Sequence, residues 1–370
     1  MRIYFDNNAT TAIAPSVLEV LEEALRDVYG NASSIHREGQ SARRVIESAR
    51  ETVASFVGAT ARELVFTSGG TESNNAAIFG ACPASGRFHI VTSAIEHPSV
   101  AEAVRELERR GAEVTRVAPS RSGEVAAASV VDALREDTRL VTLMLANNET
   151  GVVQPVEEVG EVTRHRGIHF HVDAVQAAAK IPFDVARLGA DTLSLSAHKL
   201  HAPKGVGALY VRRGVSMSTH LHGGAQERRR RAGTENVPLT AAFAAAVALP
   251  SAAEQMQRLR DLFESEVSAA LAVTINGASA TRLPNTSNIT FAGADGEGIV
   301  IALDLSGVAV STGSACSSGR VEPSEVLLAM GLTPEDARAT VRFSLSQFTT
   351  EDEVRRVAQL LRELVPRCMK

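Results

Sequence analysis

Leu193-Ser-Leu-Ser-Ala-His-Lys-Leu-His-Ala-Pro-Lys-Gly-Val-Gly207 is the stretch around which the chain is organised. Apolar and polar residues alternate as far as Ser196. Ala197, His198 and Lys199 follow, and a Pro/Gly turn leads into a second apolar run over residues 206–211. This spacing predicts a strand, an exposed tip and a second strand. A lysine at such a tip, beside a serine and a histidine, becomes an amine nucleophile if its surroundings lower its pKa or a carbonyl cofactor captures it. Taken alone, it is a solvated loop lysine, as most lysines are.

The other candidate strands lie over residues 64–67, 89–93, 113–117, 140–146, 169–173 and 192–196, mostly separated by helical spacing. The alternation predicts an α/β fold: a mostly parallel sheet flanked by helices, with sites at the carboxyl ends of its strands. A helix over residues 15–29 opens on Pro15 and stops at Gly30, and another runs over about residues 40–57. Beyond about residue 250 the strands shorten, at 287–291, 308–311 and 340–345. The expectation is a large domain over residues 14–250 and a smaller α+β domain built from residues 1–13 and 251–370.

A formal net charge of −5 leaves no basic footprint for nucleic acid or an anionic membrane, so a small molecule is the expected partner. The alanine-rich run 239–249 is too short to span a bilayer. The first residues enter a strand-like run with no signal-peptide pattern, and a cytoplasmic protein is expected. Cys82, Cys316 and Cys368 are too few and too scattered for a disulfide framework or a zinc site.

Chemistry-bearing residues cluster at the predicted strand ends. Ser68-Gly-Gly-Thr71 is a glycine turn opening a helix, whose backbone N–H groups and dipole suit a phosphate. It lacks the lysine of a P-loop and the third glycine of a dinucleotide fingerprint. Asp173 ends its strand where an acidic group pairs with a protonated pyridine nitrogen, with Gln176 in reach of a ring oxygen. Two other readings stand beside this one: Asp173 as a helix cap, and His169, His171 and Asp173 on one strand face as a metal site. His97 is either a loop or cap histidine or a ring that stacks on a flat cofactor and moves protons. Asn148 is either a turn asparagine or a cofactor contact.

Asp6-Asn-Asn-Ala-Thr-Thr11, Ser68-Gly-Gly-Thr-Glu-Ser-Asn74, Glu96-His97, Asn147-Asn-Glu-Thr-Gly-Val-Val-Gln154, His171-Val-Asp-Ala-Val-Gln176 and Ser196-Ala-His-Lys199 occur in this order. Together, from about residue 3 to residue 355, they resemble the cysteine desulfurases, pyridoxal phosphate enzymes of the class V aminotransferase group and of fold type I. The resemblance implies that Lys199 holds the cofactor's aldehyde carbon, Asp173 pairs with its ring nitrogen, Gln176 contacts its ring oxygen and His97 stacks on the ring. It places the phosphate among Gly70, Thr71, Ser196 and His198, with Asn148 beside cofactor and substrate. Thr234 matches a threonine that reaches the partner subunit's phosphate, implying a homodimer. Arg342 matches the residue that grips the substrate carboxylate, a task suited to a planar guanidinium; otherwise it is a strand arginine in a surface ion pair.

Cys316 lies in Ser311-Thr-Gly-Ser-Ala-Cys-Ser-Ser-Gly319, a small-residue loop unlike the apolar runs that bury inert cysteines. It resembles the long-loop version of the desulfurase cysteine motif. The expected activity is conversion of L-cysteine to L-alanine with a persulfide left on Cys316, for delivery to a sulfur-acceptor protein such as an iron–sulfur scaffold. Selenocysteine lyase and aminotransferase are the alternatives with the same cofactor. A metal-dependent hydrolase using His169, His171 and Asp173, or a non-catalytic sulfur carrier, are those of another class. Ala197 and Ala202 stand where the family commonly has glycine, and His201 where it often has an aromatic residue. The run Arg228–Arg231 is read as a solvated rim, with a docking patch as the alternative.

Overall fold

The structure is a computed structural model that describes residues 2–312 and 322–369, so Cys316 lies outside the described residues. Its strands are β1 (Ile3–Tyr4), β2 (Leu64–Thr67), β3 (His89–Ser93), β4 (Glu113–Val117), β5 (Thr138–Met144), β6 (His169–Asp173), β7 (Thr192–Ser196), β8 (Gly207–Val211), β9 (Thr274–Ile275), β10 (Thr286–Thr290), β11 (Val308–Ala309), β12 (Ser311–Thr312) and β13 (Thr340–Ser344). A seven-stranded sheet takes the order β2-β8-β7-β6-β5-β3-β4. All its strands run in one direction except β8, which is antiparallel to both neighbours.

Every residue of β3, β7 and β8 is buried, because helices cover both faces of the sheet. The chain leaves β3 for β4 on one side and returns to β5 on the other. The crevice at this change of direction, outside the carboxyl ends of β3, β5, β6 and β7, is the binding position of open α/β sheets.

A second, four-stranded sheet has the order β12-β13-β10-β9, and β1 pairs with β11. Phe5, Phe263 and Phe343 centre the apolar cluster there, with Phe5 edge-on to Phe263 at 6.1 Å between ring centres. Leu283, Val326, Leu327, Met330 and Ala337 join the larger core instead. The run 308–311, expected as one strand, is two: β11 pairs with the N-terminal strand, and after Val310 the chain crosses to pair with β13. No helix among the described residues is long and apolar enough to cross a membrane.

Candidate active site

β7 ends at Ser196 and closes into a short 3-10 turn, Ala197–Lys199, at the crevice. Lys199 Nζ donates to the main-chain oxygens of Asn8 and Ala9, the latter at 2.8 Å. The N-terminal segment therefore crosses the strand ends beside the lysine. Thr11 fixes the turn from the same segment, donating through N and Oγ1 to His198 O at 3.0 Å each. His201 takes a left-handed φ of 63°, a conformation in which histidine is enriched among non-glycine residues, and its ring stands edge-on to Phe348.

Asp173 ends β6 with each carboxylate oxygen engaged by one donor: Asn74 Nδ2 at 2.7 Å and Val175 N at 3.0 Å. Both bonds are to N–H groups, which leaves a carboxylate presenting acceptor lone pairs. His97 caps the helix Pro98–Arg109, accepting at Nδ1 from Ser99 N. Burial, followed by Lys199, pulls its pKa down, against the opposing pull of Asp173. Glu96, immediately before it, is buried with Oε1 accepting from Ser93 Oγ and Met144 N, while Oε2 has no hydrogen-bond partner among the described residues. Burial pushes its carboxyl up to about 8, with Asp173 adding to the rise.

The helix Gly70–Ala81 begins at the crevice, and a Cβ on Gly70 would lie 2.8 Å from Val175 Cγ2 and 3.5 Å from Ser196 Cβ. The tight approach is to Val175, whose side chain would have to shift for any larger residue at position 70, while Ser196 lies at ordinary contact distance. His198 stands beside them, its Nδ1 on Thr10 Oγ1 at 3.1 Å. Burial drives His198 down to about 4, helped by the positive charges of Lys199, Lys204 and Lys180. A helix N-terminus beside a serine hydroxyl, with lysines near by, suits a phosphate dianion. Together with the carboxylate of Asp173, the ring of His97 and the amine of Lys199, the residues present fit pyridoxal phosphate.

Arg342, on β13 and almost fully buried, reaches the crevice from the second sheet. Nη2 pairs with Asp6 Oδ1 at 2.8 Å, Nη1 donates to Asn148 O at 3.2 Å, and Nε has no partner among the described residues. Asn8 locks the same corner, donating to Asn148 O at 3.1 Å and to Thr286 Oγ1 at 2.9 Å. Next to Asn148, Glu149 is buried and accepts from Ser324 Oγ at 2.5 Å; burial pushes its carboxyl up to about 7.

The structure thus brings Lys199, His97, Asp173, Gly70, Thr71, Ser196, His198, Asn148 and Arg342 to one crevice. Gln176 is close, its amide donating to Asn8 O at 2.8 Å, and buried Lys180, held down at about 7 by burial and Lys199, donates to its carbonyl. Thr234 is exposed on the loop before the helix Val237–Val247 and is not gathered with these residues.

The metal reading of His169, His171 and Asp173 is corrected. His171 spends one nitrogen on Thr192 Oγ1 and the other on Asn74 Oδ1, and His169 Nε2 shares the same Thr192 hydroxyl. No metal-holding cluster occurs among the described residues. Arg228 and Arg229 are exposed, as a rim would be, and the run is anchored at its ends: Arg228 donates to Ala61 O, Arg231 pairs with Glu72, and the preceding Glu227 is buried against Arg50. Asp6, Asn8, Asn74, Ser99 and Lys180 were not singled out by sequence reasoning. Asp6, Asn8 and Asn74 lie inside the quoted motifs, which was the available signal.

A family model described as aminotransferase class-V matches residues 3–357. A cysteine desulfurase of Nostoc sp. is 46% identical, over 99% of this chain and 93% of that protein. A cysteine desulfurase IscS of Dictyoglomus turgidum is 43% identical, over 98% and 94%. Among solved structures, a NifS-like protein superposes with a TM-score of 0.92 at 37% identity, covering 99% of this chain and all of that one. SspA in complex with cysteine superposes with a TM-score of 0.85 at 37% identity, over 95% of this chain.

Proposed function

Because this chain belongs to the class-V aminotransferase family, with cysteine desulfurases among its relatives over nearly their whole length, we propose that it is a pyridoxal phosphate-dependent cysteine desulfurase. It converts L-cysteine to L-alanine. The observation that carries the reading is the convergence of Lys199, Asp173 and His97 at the carboxyl ends of β7, β6 and β3, beside the Gly70–Ser196 cradle.

Pyridoxal phosphate, when bound, draws electrons from the substrate's α-carbon and so labilises bonds there. The chain's residues do the rest. Asp173 holds the ring nitrogen's proton, and Gly70, Thr71, Ser196 and His198 hold the phosphate. Arg342 and Asn148 orient the substrate carboxylate, and Lys199 Nζ moves the proton at the α-carbon. His97 exchanges a proton between substrate and thiol. The Cys316 thiolate attacks the substrate sulfur; the carbon–sulfur bond breaks, a sulfur–sulfur bond forms, and cysteine plus thiol become alanine plus Cys316 persulfide with no outside oxidant.

The further reading is of a homodimer in which Thr234 reaches the partner's phosphate, supported by the exposure of its loop. Cys82 and Cys368 are both free, which supports a reducing compartment and hence the cytoplasm. The acceptor of the sulfur is a protein, such as an iron–sulfur scaffold, that receives it from Cys316.

Comparing alanine release and sulfur transfer by wild type and Cys316→Ser tests the reading. The variant should bind cofactor and lose transfer to acceptor; full transfer would remove Cys316 from the mechanism. Borohydride treatment of the loaded protein should mark the peptide carrying Lys199, and marking elsewhere would refute that assignment.

A further inference from the structure

Two side chains that flank the cofactor position, His97 and Asp173, are joined by hydrogen bonds through residues that touch neither cofactor nor substrate in the proposed function. Ser99 Oγ lies 2.8 Å from His97 Nδ1 and 2.8 Å from Asn74 Nδ2; Asn74 Nδ2 lies 2.7 Å from Asp173 Oδ2. All three of Ser99, Asn74 and Asp173 are buried. We propose that Ser99 and Asn74 are positioning residues that hold the neutral His97 ring as the Nε2–H tautomer and tether it to Asp173, so that the ring presents a donor, not a lone pair, at Nε2.

A donor and acceptor count carries this. Asn74 has one possible amide orientation, because a flip would aim Oδ1 at the Asp173 carboxylate, acceptor against acceptor. Its two N–H bonds therefore go to Asp173 Oδ2 and Ser99 Oγ, and Oδ1 accepts from His171 Nε2 at 3.0 Å. Ser99 Oγ accepts from Asn74 and keeps its own hydrogen to give to His97 Nδ1, which the Ser99 backbone marks as an acceptor. Ser99 N also donates to that nitrogen, at 3.1 Å. With two donors on Nδ1, the neutral ring carries its hydrogen on Nε2, and a proton added at Nδ1 would face a backbone N–H at a helix N-terminus. The charged or titratable groups facing His97 are Asp173 from β6, Lys199 and His198 from the turn after β7, and Glu96 before it. None of them occupies Nδ1. The lowering of His97's pKa by burial and by Lys199 agrees with a ring kept neutral.

The inference rests on the desulfurase reading for the use His97 makes of its proton, but the tautomer itself is measurable without turnover. Nitrogen-15 histidine spectra of the cofactor-loaded full-length protein, assigned with a His97→Gln sample, should show His97 unprotonated at Nδ1 and protonated at Nε2 near neutral pH. A hydrogen on Nδ1 in the wild type would overturn the proposal, whatever the desulfurase assay shows. Ser99→Ala keeps the backbone bond but removes a donor to the neutral ring. Its His97 titration midpoint should rise by about half to one pH unit, and Ser99→Thr should restore it. Asn74→Ala, which frees the Ser99 hydroxyl to turn, should raise the midpoint as well. A folded Ser99→Ala protein with an unmoved His97 midpoint would also overturn it.

Discussion

Replacing Arg342 by lysine separates substrate recognition from structure. In the folded chain its guanidinium holds Asp6 at 2.8 Å and Asn148 O at 3.2 Å, and its buried Nε has no partner among the described residues. Lysine keeps a cation beside Asp6 and so avoids an uncompensated buried carboxylate, whereas Arg342→Ala would cost about 3–5 kcal/mol of stability by that route and confuse the assay. What lysine loses is the planar fork that grips a carboxylate bidentately. Hydrogen bonds to charged groups contribute about 1.5–3 kcal/mol, so KM for L-cysteine should rise by roughly 10- to 150-fold. If the grip is equal in ground and transition states, kcat stays within about threefold. Alanine production measured against L-cysteine concentration gives both constants, and inhibition by cysteamine, which has no carboxylate, should not change. An unchanged KM in a variant with the wild-type melting temperature would refute the role of Arg342 and leave it as the structural partner of Asp6.

Glu96 makes stability depend on pH with a defined sign. Its carboxyl is pushed from 4.5 up to about 8 in the fold, so the native state keeps a proton that the unfolded chain has released; its contribution is full below about 4.5 and is lost as pH rises towards 8. Glu96→Gln should flatten the fall in melting temperature between about pH 5 and pH 8, and an unchanged slope would refute the assignment. Arg50 Nη1 and Nη2 bond Glu227 at 2.6 Å and 2.9 Å, out of water and beneath a turn whose residues Glu227, Arg228 and Arg229 all have positive φ. Arg50→Met should therefore destabilise the fold by about 3–5 kcal/mol in denaturant unfolding, with the double variant Arg50→Met/Glu227→Met recovering part of the loss; an equally unstable double variant would contradict the account.

The second sheet shows where local reading fails. Residues 308–311 have one continuous strand pattern, yet Ile3–Tyr4 pairs with Val308–Ala309 and β13 with Ser311–Thr312, so the chain switches partners within four residues. Nothing in the local pattern records which distant strand arrives. The metal reading failed for a related reason. His169, His171 and Asp173 do share a face by strand period, but Thr192 and Asn74 arrive from other elements and take the imidazole nitrogens.

Except at β5, which ends at Met144 where the pattern suggests 146, the sequence alone determined the strand ends of the large sheet and the residue types at them: Lys199 after an alternating run, Asp173 after another, and a glycine turn opening a helix at Gly70. Periodicity and turn chemistry are local, so they are legible without neighbours. Only the tertiary structure decided how those residues are held. Lys199 donates to Asn8, 191 positions away, and Asp173 to its partner Asn74 spans 99. Asp6 meets Arg342 across 336 positions. Such contacts follow from strand order and from the path of the N-terminal segment, and no spacing in the sequence encodes either. Lys199, an ordinary surface lysine by its own loop, is held at the crevice because the fold lays residues 6–11 across the strand ends beside it.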